Sequence, residues 1–176
     1  MHPEIISICL FFFVTGFTPG PNNIVASYSG FNFGLTRTIP HILGVTLGFT
    51  ALNISLIVGL INVFKLYPLI QEVLKYLGTL FLLYLAFKIS FSNSDNNSNW
   101  ENPVKFIETF FFQFLNPKGV IVGIIVVSTY IQLDENYLNY SLQVVILALL
   151  FSVTSITSWT LVGKFLRKFA TNEKFI

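Results

Sequence analysis

Thr18-Pro19-Gly20-Pro21-Asn22-Asn23 interrupts an apolar stretch, and no other run of six residues restricts the fold of this chain as much. Proline lacks a backbone N–H and clashes with the preceding turn, so two prolines around a glycine end a helix there. On both sides the sequence is apolar enough to lie in lipid. Backbone groups freed at a break are not tolerated facing hydrocarbon; they need protein or a watery cavity around them. A helix broken at membrane depth and followed by two amides is how secondary transporters build a substrate site. The feature points to a protein that moves something across a membrane.

Composition agrees. The chain has 176 residues, 53% hydrophobic and 10% charged, with mean hydropathy +0.71. A soluble domain carries about 25% charged residues, so this chain has too little polar surface to cover itself in water. The fold class is an all-α membrane protein, a polytopic helix bundle. One cysteine, Cys9, leaves no internal disulfide and no cysteine metal cluster; it reads as a small apolar core residue. His2, Pro3 and Glu4 stand where a signal peptide would carry its basic region, so the first apolar run reads as a retained membrane helix.

Taking about 20 residues per crossing, five segments are long enough to span: 5–29, 41–63, 73–90, 107–131 and 140–163, the third beginning earlier, near Leu69. The spacing predicts a single transmembrane domain over 1–176. Within it, 1–91 is a three-helix half, 92–106 a cytoplasmic polar linker built on Ser92–Asn99, and 107–176 an incomplete second half. Lys and Arg set the orientation. Arg37, Lys88, Lys105, Lys164, Arg167, Lys168 and Lys174 collect on one side, Lys65 and Lys75 on the other, which places the N-terminus outside and the C-terminus in the cytoplasm. The halves echo each other: Phe11-Phe12-Phe13 precedes Pro19-Gly20, and Phe110-Phe111-Phe112 precedes Pro117 and Gly119. Three helices per half would insert the second copy upside down, the 3+3 inverted-repeat design of many secondary transporters. Only five apolar spans are present, and Phe165, Leu166 and Phe169 with Arg167 and Lys168 read as an interfacial turn after the fifth.

Thr18–Asn23, then Ser29-Gly30-Phe31-Asn32-Phe33-Gly34, Arg37 and Pro40-His41-Ile42-Leu43-Gly44, together resemble the LysE/RhtB family of amino-acid exporters. Tyr76-Leu77-Gly78, Leu83-Tyr84-Leu85-Ala86 and Phe114-Leu115-Asn116-Pro117-Lys118 are similar to that family's other marks. The Asn-Phe-Gly and Pro-His-Ile-Leu-Gly runs are closest in pattern to its cysteine/O-acetylserine exporter branch. The resemblance implies a six-helix bacterial inner-membrane protein, often oligomeric, that exports small amino acids by proton antiport. The departure is the sixth helix, which this sequence lacks.

Two constellations would carry the chemistry. At Pro19, Gly20, Pro21, Asn22 and Asn23, the helix resuming after the break offers unpaired N–H groups and a partial positive charge to a carboxylate. Released carbonyls can accept from an ammonium, and the two amides supply both kinds of group. At Asn116, Pro117 and Lys118, a lysine sits about 16 Å into the fourth span, at 1.5 Å per residue from Ile107. A charge there costs about 2.5–3.5 kcal/mol on insertion scales and should face the bundle interior. Lys118 is therefore both a substrate-binding and a proton-coupling candidate. His41 reads as a capping or interfacial residue at the start of the second span. Gly44 and Gly48 read as close helix packing, Asn53 as an interhelical hydrogen bond, and the Thr154–Thr160 hydroxyls as packing glue.

No phosphate-binding Gly-Lys-Ser/Thr loop, His-Glu-x-x-His or Cys-x-x-Cys run occurs, so the chain reads as no enzyme, with no cofactor and no metal. No basic patch with interleaved aromatics calls for nucleic acid. The expected partners are a small amino-acid substrate, the lipid bilayer and other copies of the chain. The expected function is export of a small neutral amino acid or derivative of the threonine, homoserine, cysteine or O-acetylserine type. The alternative is a truncated, non-transporting remnant or a membrane assembly subunit.

Overall fold

The computed structural model describes residues 2–90, 103–131 and 135–170, and among them there is no strand. The helices are α1 (Ile5–Phe17), α2 (Pro21–Ser55), α3 (Ile61–Leu66), α4 (Pro68–Ser90), α5 (Phe106–Leu115), α6 (Pro117–Tyr130) and α7 (Tyr137–Ala170). A π-helical turn, Leu56–Leu60, joins α2 to α3. The expected all-α membrane class holds. The linker Ser92–Asn99 and Lys174 lie outside the described residues. By length and composition Pro21–Leu66 and Tyr137–Ala170 can each cross a membrane, and α5 with α6 make a third candidate bent by 60°.

Pro21–Leu66 is not one straight rod. At Gly34 the backbone takes φ 76° and ψ 176°, a region that glycine alone enters freely. The Ser29 and Thr38 hydroxyls meet at 2.8 Å, and His41 Nε2 lies 3.3 Å from the Asn22 carbonyl oxygen, 19 residues back. A straight helix would hold those two residues about 28 Å apart. The chain therefore reverses at Gly34, and the two arms of α2, residues 21–33 and 35–55, pack on each other. Thr38 Oγ1 donates to the Gly34 carbonyl at 2.7 Å and closes the corner. This corrects the sequence expectation of a loop over 30–40: one glycine makes the turn, and Arg37 and Pro40 are already helical.

The long helix α7 organises the packing. Its Val144 and Ala148 cluster with Ile8 and Phe12 of α1, Ser155 bonds Gly16, Ile156 clusters with Ala26, and Arg167 donates to the Asn32 carbonyl. Rising residue numbers on α1 and the first arm of α2 thus meet rising numbers on α7. Two glycines allow the closest approach. A Cβ on Gly30 would strike the Thr160 backbone, and one on Gly163 would strike the Ser27 backbone. Without an apolar driving force between helices in lipid, such close backbone contact is what holds a bundle together. Gly44 and Gly48 do the same against α5, where Thr109, Phe110 and Gln113 fill the space. Outward faces stay apolar: Leu10, Phe13, Leu83, Phe111, Leu142 and Leu150 are all exposed. In water such a surface would aggregate; against acyl chains it is at rest.

α4 begins at Pro68, in keeping with the early start expected near Leu69. Two further expectations need correction. α7 continues unbroken to Ala170, so Phe165–Phe169 is the last part of a helix and not a separate interfacial turn. Asn53 makes no interhelical bond: Nδ2 donates to the Phe49 carbonyl one turn back, and Oδ1 is buried without a partner.

Candidate functional site

Both proline breaks form, and each restarts its helix at a proline. α1 ends at Phe17; Thr18 is extended (ψ 142°), as is Gly20 (φ −166°, ψ 175°), and α2 starts at Pro21. The missing N–H costs nothing at a first helical position. α5 ends at Leu115, Asn116 turns the chain (φ −74°, ψ 107°), and α6 starts at Pro117. The break lies midway along its path. From Ile5 to Thr18 and from Pro21 to Gly34 are 13 residues each, roughly 20 Å of helix on either side.

Asn23 holds the first break. Its Nδ2 donates to the carbonyls of Gly16 and Thr18, both at 2.8 Å. Both amide hydrogens are spent on carbonyls that the helix break leaves without intrahelical partners, and Oδ1 carries no hydrogen bond. Ser155 Oγ donates to the same Gly16 carbonyl at 2.6 Å. At the second break Asn116 Oδ1 accepts from the Lys118 N–H at 3.2 Å and caps α6. Its Nδ2 carries no hydrogen bond, although the residue is only 2% exposed.

The breaks meet. Lys118 Nζ donates to the Thr18 carbonyl at 2.8 Å and lies 3.1 Å from Thr18 Oγ1, a residue 100 positions away. The lysine stem crosses Gly20 so closely that a Cβ there would sit 3.0 Å from its Cδ. Asn22 and Gln113 pair by their amides: Asn22 Nδ2 donates to Gln113 Oε1 at 2.8 Å, and Gln113 Nε2 to Asn22 Oδ1 at 3.2 Å. Between them lies a cavity of about 80 Å³. One water needs about 10–15 Å³ of such space, so several heavy atoms fit.

Of the residues picked from sequence, Gly20, Pro21, Asn22, Asn23, Asn116 and Lys118 line this cavity. Pro19 and Pro117 do not; they shape the breaks, and Pro19 is exposed. Sequence reasoning missed Gln113, Thr15 and Ser152 and the aromatic walls Phe12, Phe49 and Phe151, and it read Ser155 as packing glue, whereas all of these line the cavity. It also misplaced His41. That side chain is 1% exposed and bonds the Asn22 main chain, with Nδ1 unpartnered. It is neither a cap nor an interfacial residue, because the reversal at Gly34 carries it into the bundle. Among the described residues, no Asp or Glu lines the cavity.

The comparisons with known proteins fit this geometry. The LysE type translocator family matches residues 13–173. The chain is similar to the cysteine/O-acetylserine efflux protein of Salmonella typhimurium (strain LT2), 30% identical over 164 residues, which cover 93% of this chain and 84% of that one. It is similar to the protein of the same name from Escherichia coli (strain K12), 27% identical over 169 residues with the same coverage. No solved structure matches.

Proposed function

The chain belongs to the LysE type translocator family, and from that premise we propose that it exports small neutral amino acids, of the threonine, homoserine, cysteine or O-acetylserine type, from bacterial cells. Membership makes it an efflux transporter of a bacterial membrane rather than an enzyme. The finer reading rests on the cavity, and one observation carries it: Lys118 reaches across both helix breaks to Thr18 beside a space with matched donors and acceptors.

A zwitterion finds partners at both ends. Lys118 Nζ has a third N–H beyond the two spent on Thr18, Asn116 Nδ2 is unspent, and the start of α2 offers free N–H groups to a carboxylate. Asn23 Oδ1 is an open acceptor for an ammonium. Beyond Asn22, Asn23, Gln113, Asn116 and Lys118, the lining is apolar apart from the Thr15, Ser152 and Ser155 side chains, which suit a short chain ending in a hydroxyl, thiol or ester. A basic side chain would meet Lys118 and no carboxylate. Like charge without a compensating partner costs several kcal/mol in a desolvated site.

In this reading the protein crosses the membrane five times: α1 with the first arm of α2, the second arm with α3, α4, α5 with α6, and α7. Arg37 lies just past Gly34, and Arg167 bonds Asn32 just before it; their shared end is the cytoplasmic one by the positive-inside rule. The N-terminus is then outside. Access alternates by rocking at the two breaks, and proton antiport drives the cycle with Lys118 as the proton-coupling residue. Copies of the chain associate in the membrane.

A flux panel tests it. Vesicles carrying the purified chain, with an imposed pH gradient, are expected to move threonine, homoserine or O-acetylserine at least about tenfold faster than lysine, the factor that 1.4 kcal/mol of charge repulsion supplies. Equal rates for lysine, or no flux of any neutral amino acid, would contradict the reading.

A further inference from the structure

We infer that Gln113 is a positioning residue for the substrate: it locks the orientation in which the Asn22 amide faces the cavity. This rests on the transport reading above and goes beyond it: Gln113 lines the cavity, but both of its amide hydrogens are spent on Thr109 and Asn22, so its effect on the substrate runs through Asn22.

One main-chain group fixes the polarity of the whole contact. The Thr109 carbonyl can only accept. Gln113 Nε2 lies 2.8 Å from it and donates. The reverse orientation would set Gln113 Oε1 against that carbonyl, two acceptors in contact. Nε2 has two hydrogens; the second goes to Asn22 Oδ1 at 3.2 Å. Oε1 then has to face Asn22 Nδ2, and it does, at 2.8 Å. The orientation of both amides thus follows from one backbone oxygen.

Packing removes the remaining freedom. Gln113 is 1% exposed, and a Cβ on Gly48 would meet its Cγ at 2.8 Å. Asn22 is held from a second side, because His41 Nε2 lies 3.3 Å from its carbonyl oxygen. What remains of the Asn22 amide is one N–H and one lone pair, at a residue that lines the cavity. A preorganised donor binds more tightly than one that must be ordered on arrival. The remaining N–H suits a carboxylate in the cavity that Lys118 and Asn116 also line.

The prediction is a split between affinity and rate. In reconstituted vesicles, Gln113→Met keeps the volume and loses the lock. The KM for threonine is expected to rise about tenfold, the scale of one oriented hydrogen bond, with the maximal rate per inserted protein kept within about twofold. Preference for threonine over threonine amide, which lacks the carboxylate, should fall in parallel. In an Asn22→Ala background, Gln113→Met should change neither, because the two act as one unit. Additive effects on KM, or an unchanged KM and preference, would overturn the proposal. If Gln113→Met fails to reach the membrane, Gln113→Asn, too short to bridge Thr109 and Asn22, takes its place with the same expectation. Failure of both to accumulate would mark Gln113 as a packing residue and end the proposal. A wild-type protein that moves no neutral amino acid would sink the transport reading itself, a distinguishable result.

Discussion

Efflux by a Pro19→Ala/Gly20→Ala/Pro21→Ala variant is expected at background, with the protein still in the membrane. Each proline in a helix interior costs about 3 kcal/mol relative to alanine and glycine about 1 kcal/mol, so the triple change favours helix by several kcal/mol. Two consequences follow. The carbonyls of Gly16 and Thr18 become intrahelical acceptors, and Asn23 and Lys118 lose the partners that the structure gives them. Three residues pass from an extended rise of about 3.3 Å to 1.5 Å each, which draws α1 toward α2 by about 5 Å. That shift moves Phe12 and Gly16 out of register with Phe151 and Ser155, and the cavity loses a wall. Immunoblotting of the membrane fraction and efflux of labelled threonine check both halves of the expectation. Efflux at half the wild-type rate or more would show that the break is only a kink in packing.

The Lys118→Met variant is expected to lose about 10- to 100-fold in efflux at subsaturating substrate. A hydrogen bond to a charged group contributes about 1.5–3 kcal/mol, and each 1.4 kcal/mol is tenfold. Methionine keeps much of the apolar stem that crosses Gly20, so packing changes little. The loss should be larger for threonine than for threonine amide, and the response of flux to an imposed pH gradient should disappear. A variant with full flux and full pH response would make Lys118 a structural tie between Thr18 and α6 and nothing more.

Much of this site is legible in the sequence, and the reasons are local. Proline acts within one turn of its own position, so Pro19, Pro21 and Pro117 announce the breaks wherever the rest of the chain goes. A lysine inside an apolar run likewise has to face inward, and Lys118 does. A reversal between the first two spans was legible, but that Gly34 alone makes it was hidden. Asn32-Phe33-Gly34-Leu35 holds no proline, and a lone glycine in a helical pattern does not announce a positive φ. That one dihedral decides the placing of His41, which in turn steadies Asn22. Gln113 was hidden for a different reason. One glutamine among phenylalanines carries no periodic signal, and its partners stand 91 residues away and on its own helix one turn back. Pairings of that kind exist only after the bundle closes.

A transported amino acid is expected to sit between the two breaks with its carboxylate on Lys118. Solid-state NMR can measure this in membranes, using protein with ¹⁵Nζ-labelled lysine and threonine ¹³C-labelled at the carboxyl. The expected result is dipolar coupling from a carboxyl carbon closer than about 4 Å to a lysine nitrogen, the separation that a charge-assisted N–H···O contact of about 2.8 Å implies, and its loss in Lys118→Met. Bound threonine with no such coupling, or with the same coupling in the variant, would contradict it.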